Sequence, residues 1–243
     1  MLNAIHHGEG HPENLLICHG LYGSARNWGV IAKRLSDIRN VTCVDMRNHG
    51  NSPWFDSHSY PDMAQDLTDF ADGDVLGHSM GGKAAMTLAL THPDRVRRLI
   101  VADIAPVSYT HSQLENIHAM RAVDLSKVAK RSDAKALLDV DPDIKDFLLQ
   151  SLDVAGKKWR LNMDVLEREM PKVLSFPDIE GQFDGPTLFL SGAESDYVKP
   201  EHRDRIKSMF PKARFAKIPG AGHWLHAQKP REFEATARAF LTA

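Results

Sequence analysis

The sequence predicts an α/β fold, a doubly wound and mostly parallel sheet with an inserted helical cap. Three observations predict it: short apolar runs recur along the chain, segments of helical period separate them, and one long stretch lacks any strand pattern. The runs are Leu15 to Cys18, Val41 to Val44, Val75-Leu76, Leu99 to Ala102 and Thr187 to Leu190, with a weaker one from Arg214 to Ile218. Their hydrophobicity is continuous rather than alternating, which means burial on both faces, as in a parallel sheet covered by helices. Between them Trp28, Ile31, Ala32 and Leu35 follow the i, i+3, i+4, i+7 spacing of one helix face. Met63, Leu67 and Phe70 do the same, as do Phe233, Ala237, Phe240 and Leu241. Strand and helix in alternation wind such a sheet.

From Pro106 to about Gly185 that rhythm stops. Only helical patterns are found there, such as Leu114, Ile117 and Met120, or Met163, Leu166, Met170 and Val173. The stretch is too long for a crossover, so residues 106–185 are read as a helical cap over the carboxyl ends of the strands, where open α/β sheets bind ligands. Residues 1–105 and 186–243 then form one core. No repeat or low-complexity linker divides them.

Composition narrows the function. The chain has 243 residues, 42% of them hydrophobic, and its longest apolar runs are four residues. A bilayer span needs roughly 20, so no integral membrane association is expected. Thirty basic against 32 acidic side chains leave a net charge of −2, without the footprint of a nucleic-acid or anionic-membrane binder. Met1 to His7 holds no basic region followed by an apolar stretch, so a cytoplasmic protein is expected. Cys18 and Cys43, both inside apolar runs, read as buried hydrophobes in a reducing compartment.

The segment that carries chemistry is Gly77-His78-Ser79-Met80-Gly81-Gly82, between a short strand and a helix-forming run from Lys83 to Leu90. A serine on a sharp strand-to-helix turn needs neighbours almost without side chains two residues to either side, and Gly77 and Gly81 supply them. A phosphate-binding loop is excluded because Lys83 is followed by Ala84 rather than by Ser or Thr. A serine hydroxyl needs a base. Of thirteen histidines, His223 stands in a small-residue loop, Gly220-Ala221-Gly222-His223-Trp224, after the last strand, which fits the chain order serine, acid, histidine. His19 and His78 read as structural, and His6, His7 and His11 as solvated edge residues.

The base in turn needs an anionic orienter, and two residues compete. Asp103 ends the run Leu99 to Ala102, and Asp196 follows the strand that ends at Gly192. The usual place for an acid after the later strand is three residues beyond the glycine, and Ser195 stands there. Spacing therefore favours Asp103, with Asp196 the alternative and Ser195 an auxiliary hydrogen-bonding member near His223. For the oxyanion, the expected donors are the backbone amides of Met80 and Leu21, the latter in His19-Gly20-Leu21-Tyr22-Gly23-Ser24. Tyr109, Met120, Trp159, Met163 and Trp224 are candidates for the substrate pocket. No metal-ligand spacing is visible.

Taken together, His19 to Ser24, Asp45-Met46-Arg47-Asn48-His49-Gly50-Asn51-Ser52, Gly77 to Lys83, Asp103-Ile104-Ala105-Pro106-Val107 and Gly220 to His226 resemble the α/β-hydrolase superfamily across essentially the whole chain. Within it they resemble the bacterial YbfF-type short-chain acyl esterases. The resemblance implies an acid at Asp103, a serine at Ser195, no cofactor, and hydrolysis of short- to medium-chain acyl esters or acyl-coenzyme A thioesters through a Ser79 acyl-enzyme. A monomer or weak homodimer acting on a small molecule is expected. Asp45 to Ser52 is taken as a structural turn. Two other readings keep the fold: elimination or carbon–carbon cleavage, as in menaquinone-pathway and ring-cleavage relatives, and a ligand receptor without catalysis. Dehalogenase and epoxide-hydrolase chemistry is disfavoured, because those relatives carry aspartate where Ser79 stands.

Overall fold

The computed structural model describes residues 1–243 apart from the side chain of Asp143. The first strands of its main sheet are β1 (Ala4–His7), β2 (Asn14–Cys18), β3 (Asn40–Val44), β4 (Gly73–His78) and β5 (Val96–Ala102). After a two-strand hairpin, β6 (Leu152–Asp153) and β7 (Lys158–Trp159), the sheet is completed by β8 (Thr187–Gly192) and β9 (Ala213–Ile218). The strand order is β1-β3-β2-β4-β5-β8-β9, with every pairing parallel except that of the edge strand β1 on β3. The apolar runs thus form the sheet, and β1, which holds His6 and His7, adds an antiparallel edge that they do not announce.

Successive side chains of a strand point to opposite faces, and here both faces are covered. Leu16, Cys18, Val75, Leu99, Val101 and Phe189 pack on one side, with α2 (Tyr60–Leu67) and α3 (Met80–Thr91). Leu15, Ile17, Val41, Cys43, Leu76, Ile100 and Leu190 pack on the other, with α1 (Gly29–Leu35) and the C-terminal α11 (Pro230–Leu241). This double burial is the reason the runs are continuous. Cys18 and Cys43 are free thiols, each 0% exposed, and burial pushes both thiol pKa values up.

Residues 106–185 lie between β5 and β8 and carry α4 (Leu114–Ala122), α5 (Arg131–Leu137), α6 (Pro142–Leu149), α7 (Met163–Arg168) and α8 (Met170–Leu174). Two features depart from the sequence reading. The segment is not free of strands, because β6 and β7 pair antiparallel around a turn with Lys157 at φ 49°; two-residue strands are too short to show any alternation. The pattern from Met163 to Val173 is also two helices rather than one, interrupted at Glu169 just before Pro171. The segment is tied down onto the core: Tyr60 Oη donates to Val173 O (2.6 Å), Ser151 Oγ to Tyr22 O (2.6 Å), and Asn162 N–H to Asn48 O (3.0 Å). After β8 come α9 (Arg203–Met209) and α10 (Leu225–Gln228). Among the described residues, no helix is long and apolar enough to cross a membrane.

Buried histidines make this fold acid-sensitive. His58 and His226 are held neutral with pKa values near 3, by burial first and then by the positive charge of Arg47 or the nearby His223 respectively. His226 stacks on Trp28 at 4.3 Å, with its Nδ1 unpartnered. Above about pH 6.5, the ordinary histidine value, such a group is neutral folded or unfolded. Between 6.5 and 3 only the unfolded chain takes up the proton, so stability falls as the pH falls, by about 1.4 kcal/mol per pH unit for each histidine. Urea unfolding midpoints should therefore drop from pH 7 to 5. His226→Phe, which keeps a ring on Trp28, is expected to flatten the slope by one histidine's share; an unaltered slope would show that His226 titrates normally.

Candidate active site

Ser79 sits between β4 and α3 with φ 53° and ψ −120°, a conformation that L-residues rarely adopt. The turn closes only because its neighbours are glycines. A Cβ on Gly77 would run into the backbone of Gly81, and one on Gly81 into the carbonyls of Cys18 and His19. The strained turn holds the serine at the N-terminal end of α3, where the helix dipole favours developing negative charge.

His223 comes from the loop between β9 and α10. Its carbonyl accepts a hydrogen bond from His78 Nε2 (2.9 Å), which pins this loop to the residue preceding the serine. The ring stacks on Tyr197 at 3.9 Å. Nδ1 lies 2.7 Å from Asp103 Oδ2 and Nε2 lies 3.1 Å from Ser79 Oγ. A carboxylate accepts, so Nδ1 carries the proton and Nε2 is left to accept from the serine hydroxyl.

Asp103 follows β5 directly, is 0% exposed and has φ 53°. Its Oδ1 accepts from Gly192 N–H (3.1 Å), and its Oδ2 accepts from Ser195 Oγ–H as well as from His223. Three donors converge on one buried carboxylate, which is what burial of such a group requires. Asp196, the alternative acid, is exposed. Ser195 is where the spacing puts it, but it bonds the carboxylate rather than the imidazole.

The loop after β2 is held by histidines. His19 Nε2 accepts from Met46 N–H (2.9 Å) and His49 Nε2 from Tyr22 N–H (3.1 Å), while the other nitrogen of each faces a carbonyl, Gly20 O or Arg47 O. Asp45 in turn accepts from the amides of Ala25 (2.7 Å) and Asn51 (2.9 Å) and from Asn3 Nδ2 (2.8 Å), so Asp45 to Ser52 is a braced turn. It holds Leu21 in place, and neither the Leu21 nor the Met80 amide is engaged by another group among the described residues.

Ser79, Met80, Leu21 and His223 open into one cavity of about 420 Å³, lined also by residues of the 106–185 segment, within the usual range for small-molecule sites. Of the proposed pocket residues, Tyr109 and Trp224 line it. Met120, Trp159 and Met163 do not: all three are buried in a hydrophobic cluster. For Met120 on α4 and Met163 on α7, a helix face turned to a core and one turned to a cavity have the same apolar spacing, and Trp159 lies on the two-residue strand β7, which is too short to show any. Sequence reasoning also missed Tyr60, Tyr197 and, as a cavity residue, Lys83. Nothing near Tyr60 in sequence marks it, whereas Tyr197 directly follows the candidates Ser195 and Asp196, and Lys83 lies one helical turn from the serine.

This sheet, with a strained serine at one strand-to-helix turn and a histidine loop beyond its last strand, is an α/β-hydrolase fold. The chain belongs to the alpha/beta hydrolase family, whose model matches residues 15–236. It is 40% identical to the esterase YbfF of Escherichia coli over 237 residues, covering 93% of this chain and 92% of the relative. It is also 40% identical to the mouse sn-1-specific diacylglycerol lipase ABHD11 over 246 residues, covering 93% and 80%. Among solved structures, a marine microorganism esterase superposes with a TM-score of 0.93 at 39% identity over 98% of both chains.

Proposed function

We propose that the protein is a serine esterase that hydrolyses short- to medium-chain acyl esters through a Ser79 acyl-enzyme, and that acyl thioesters enter by the same route. Its family and its relatedness to named esterases and a lipase make it a carboxylic ester hydrolase. The observation that carries the mechanism is the unbroken line from Ser79 Oγ through His223 to Asp103, at the wall of the cavity between core and cap.

In this reading His223 Nε2 takes the proton of Ser79 as Oγ attacks the ester carbonyl. The negative charge that develops on the carbonyl oxygen is received by the Leu21 and Met80 amides, aided by the dipole of α3. Asp103 holds the imidazole in the required tautomer and stabilises the cation formed on it. His223 then protonates the leaving alcohol or thiol, and water repeats the steps on the acyl-enzyme. Residues 106–185 act as the lid that shapes the acyl site. Leu21, Ile104, Ile144, Leu148 and Val173 give that site an apolar wall suited to an acyl chain.

The test is a matched panel of p-nitrophenyl esters and acyl-coenzyme A thioesters of increasing chain length, assayed with wild type and Ser79→Ala. Turnover of the short and medium oxygen esters by wild type alone is the expected result. If no ester is turned over while a carbon–carbon bond is cleaved, the elimination or cleavage reading takes its place.

A further inference from the structure

Lys83 is a buried amine in the cavity that holds Ser79, and the mechanism above gives it no task. It lies one turn beyond Ser79 on α3 and is 1% exposed. Nζ donates to Leu174 O (2.9 Å) and Ser175 O (2.6 Å) at the end of α8. It also lies 4.8 Å from the ring centre of Tyr109 and 5.6 Å from that of Tyr60. An ammonium has three N–H donors, so one remains. The groups facing it are Tyr60 from α2, Tyr109 and the exposed His111 from the loop after β5, and the two carbonyls from α8. No carboxylate pairs with it among the described residues, and burial lowers its pKa to about 7. The acidic lining residues Glu115 and Asp141 are exposed, whereas Lys83 is buried. A neutral donor would tie α8 to α3 equally well, so anchoring the cap does not account for a charge whose burial is costly.

We propose that Lys83 is a specificity-determining residue: its free N–H receives the far end of the acyl group, so that acyl groups ending in a carboxylate are preferred over those ending in a methyl. This rests on the esterase reading. A carboxylate arriving there gains a charge-assisted hydrogen bond and supplies the missing counter-charge. The rest of the buried lining mixes apolar residues with neutral polar ones such as Asn116, whereas Lys83 is the buried amine among them, so a preference for negative charge is assigned to this group.

The experiment compares kcat/KM for p-nitrophenyl esters of butyrate with those of the succinate and glutarate half-esters, in wild type and Lys83→Met. The ratio of carboxylate-ended to methyl-ended substrate should exceed one in wild type and fall at least about tenfold in the variant, the low end for a hydrogen bond to a charged group. In wild type the same ratio should fall between pH 6.5 and 9, as the amine loses its charge, whereas steps common to both substrates cancel. Calorimetry with monomethyl glutarate and methyl butyrate on Ser79→Ala, where Lys83 is intact, gives a readout independent of turnover and of whether Lys83→Met folds. Tighter binding of the carboxylate ligand at pH 6.5 than at pH 9 supports the assignment. A ratio indifferent to both substitution and pH, or equal binding of the two ligands, overturns it. Absence of any ester turnover alongside a calorimetric preference would instead count against the esterase reading alone.

Discussion

Ser79→Ala is expected to lower kcat for a p-nitrophenyl ester on the order of 10⁶-fold, and His223→Ala to lower it by a similar factor. The two residues act as one unit, because the hydroxyl is a competent nucleophile only when Nε2, 3.1 Å away, can take its proton. Removing both should therefore cost little more than removing either. Residual catalysis would come from the Leu21 and Met80 amides and from substrate binding, neither of which needs the serine. Steady-state kinetics of the two single variants and the double variant test this. Losses that multiply in the double variant would mean that the groups work independently and that the 3.1 Å contact has no mechanistic role.

Asp103→Asn is expected to lower kcat roughly 10⁴-fold, whereas Asp196→Asn should leave turnover near wild type. The difference follows from placement. Asp103 is fully buried with its Oδ2 on His223 Nδ1, while Asp196 is exposed. An amide at 103 can turn its NH₂ toward the imidazole, which reverses the tautomer and leaves a proton on the nitrogen that should accept from Ser79. Ser195→Ala, which removes one of the three donors to Asp103, should reduce turnover by only about tenfold, the scale of a single hydrogen bond to a charged group. Turnover by these three variants in one assay ranks these roles. A mild loss at Asp103 together with a severe one at Asp196 would transfer the orienting role to the later loop.

Local patterns announced most of the fold, for a physical reason. Leu15 to Cys18 and Leu99 to Ala102 are buried on both faces, so their composition alone identifies central strands. Gly77, Ser79 and Gly81 are equally local, since the strain at φ 53° and the clash any Cβ would cause arise within one turn and its contacts. His223 followed from chain order and from its glycine-rich loop. The features sequence did not disclose depend on tertiary packing. β6 and β7 are too short to carry a period, and β1 is a mixed edge strand. Met120 and Met163 share the helical spacing of pocket residues while facing the core, as does Trp159 without any spacing to show it. The hydrogen bond of Ser195 goes to Asp103 because Oδ2 is already turned toward the space between the two loops.

The braced turn from Asp45 to Ser52 links these levels. It reads as a structural turn in the sequence despite its polar residues, and Asp45 uses its carboxylate on Ala25, Asn51 and Asn3, while His49 places an acceptor under the Tyr22 amide. The chemistry assigned to Leu21 thus rests on side chains far from the serine in sequence, which hold a loop that no secondary structure fixes.

Intact-protein mass spectrometry after millisecond quenching of the protein with p-nitrophenyl butyrate addresses the covalent intermediate most directly. A mass increase of one butyryl group, mapped by peptide digestion to Ser79 and absent from Ser79→Ala, is the predicted result. Acylation at another side chain, or turnover proceeding just as fast in Ser79→Ala, would contradict the assignment of Ser79 as the nucleophile.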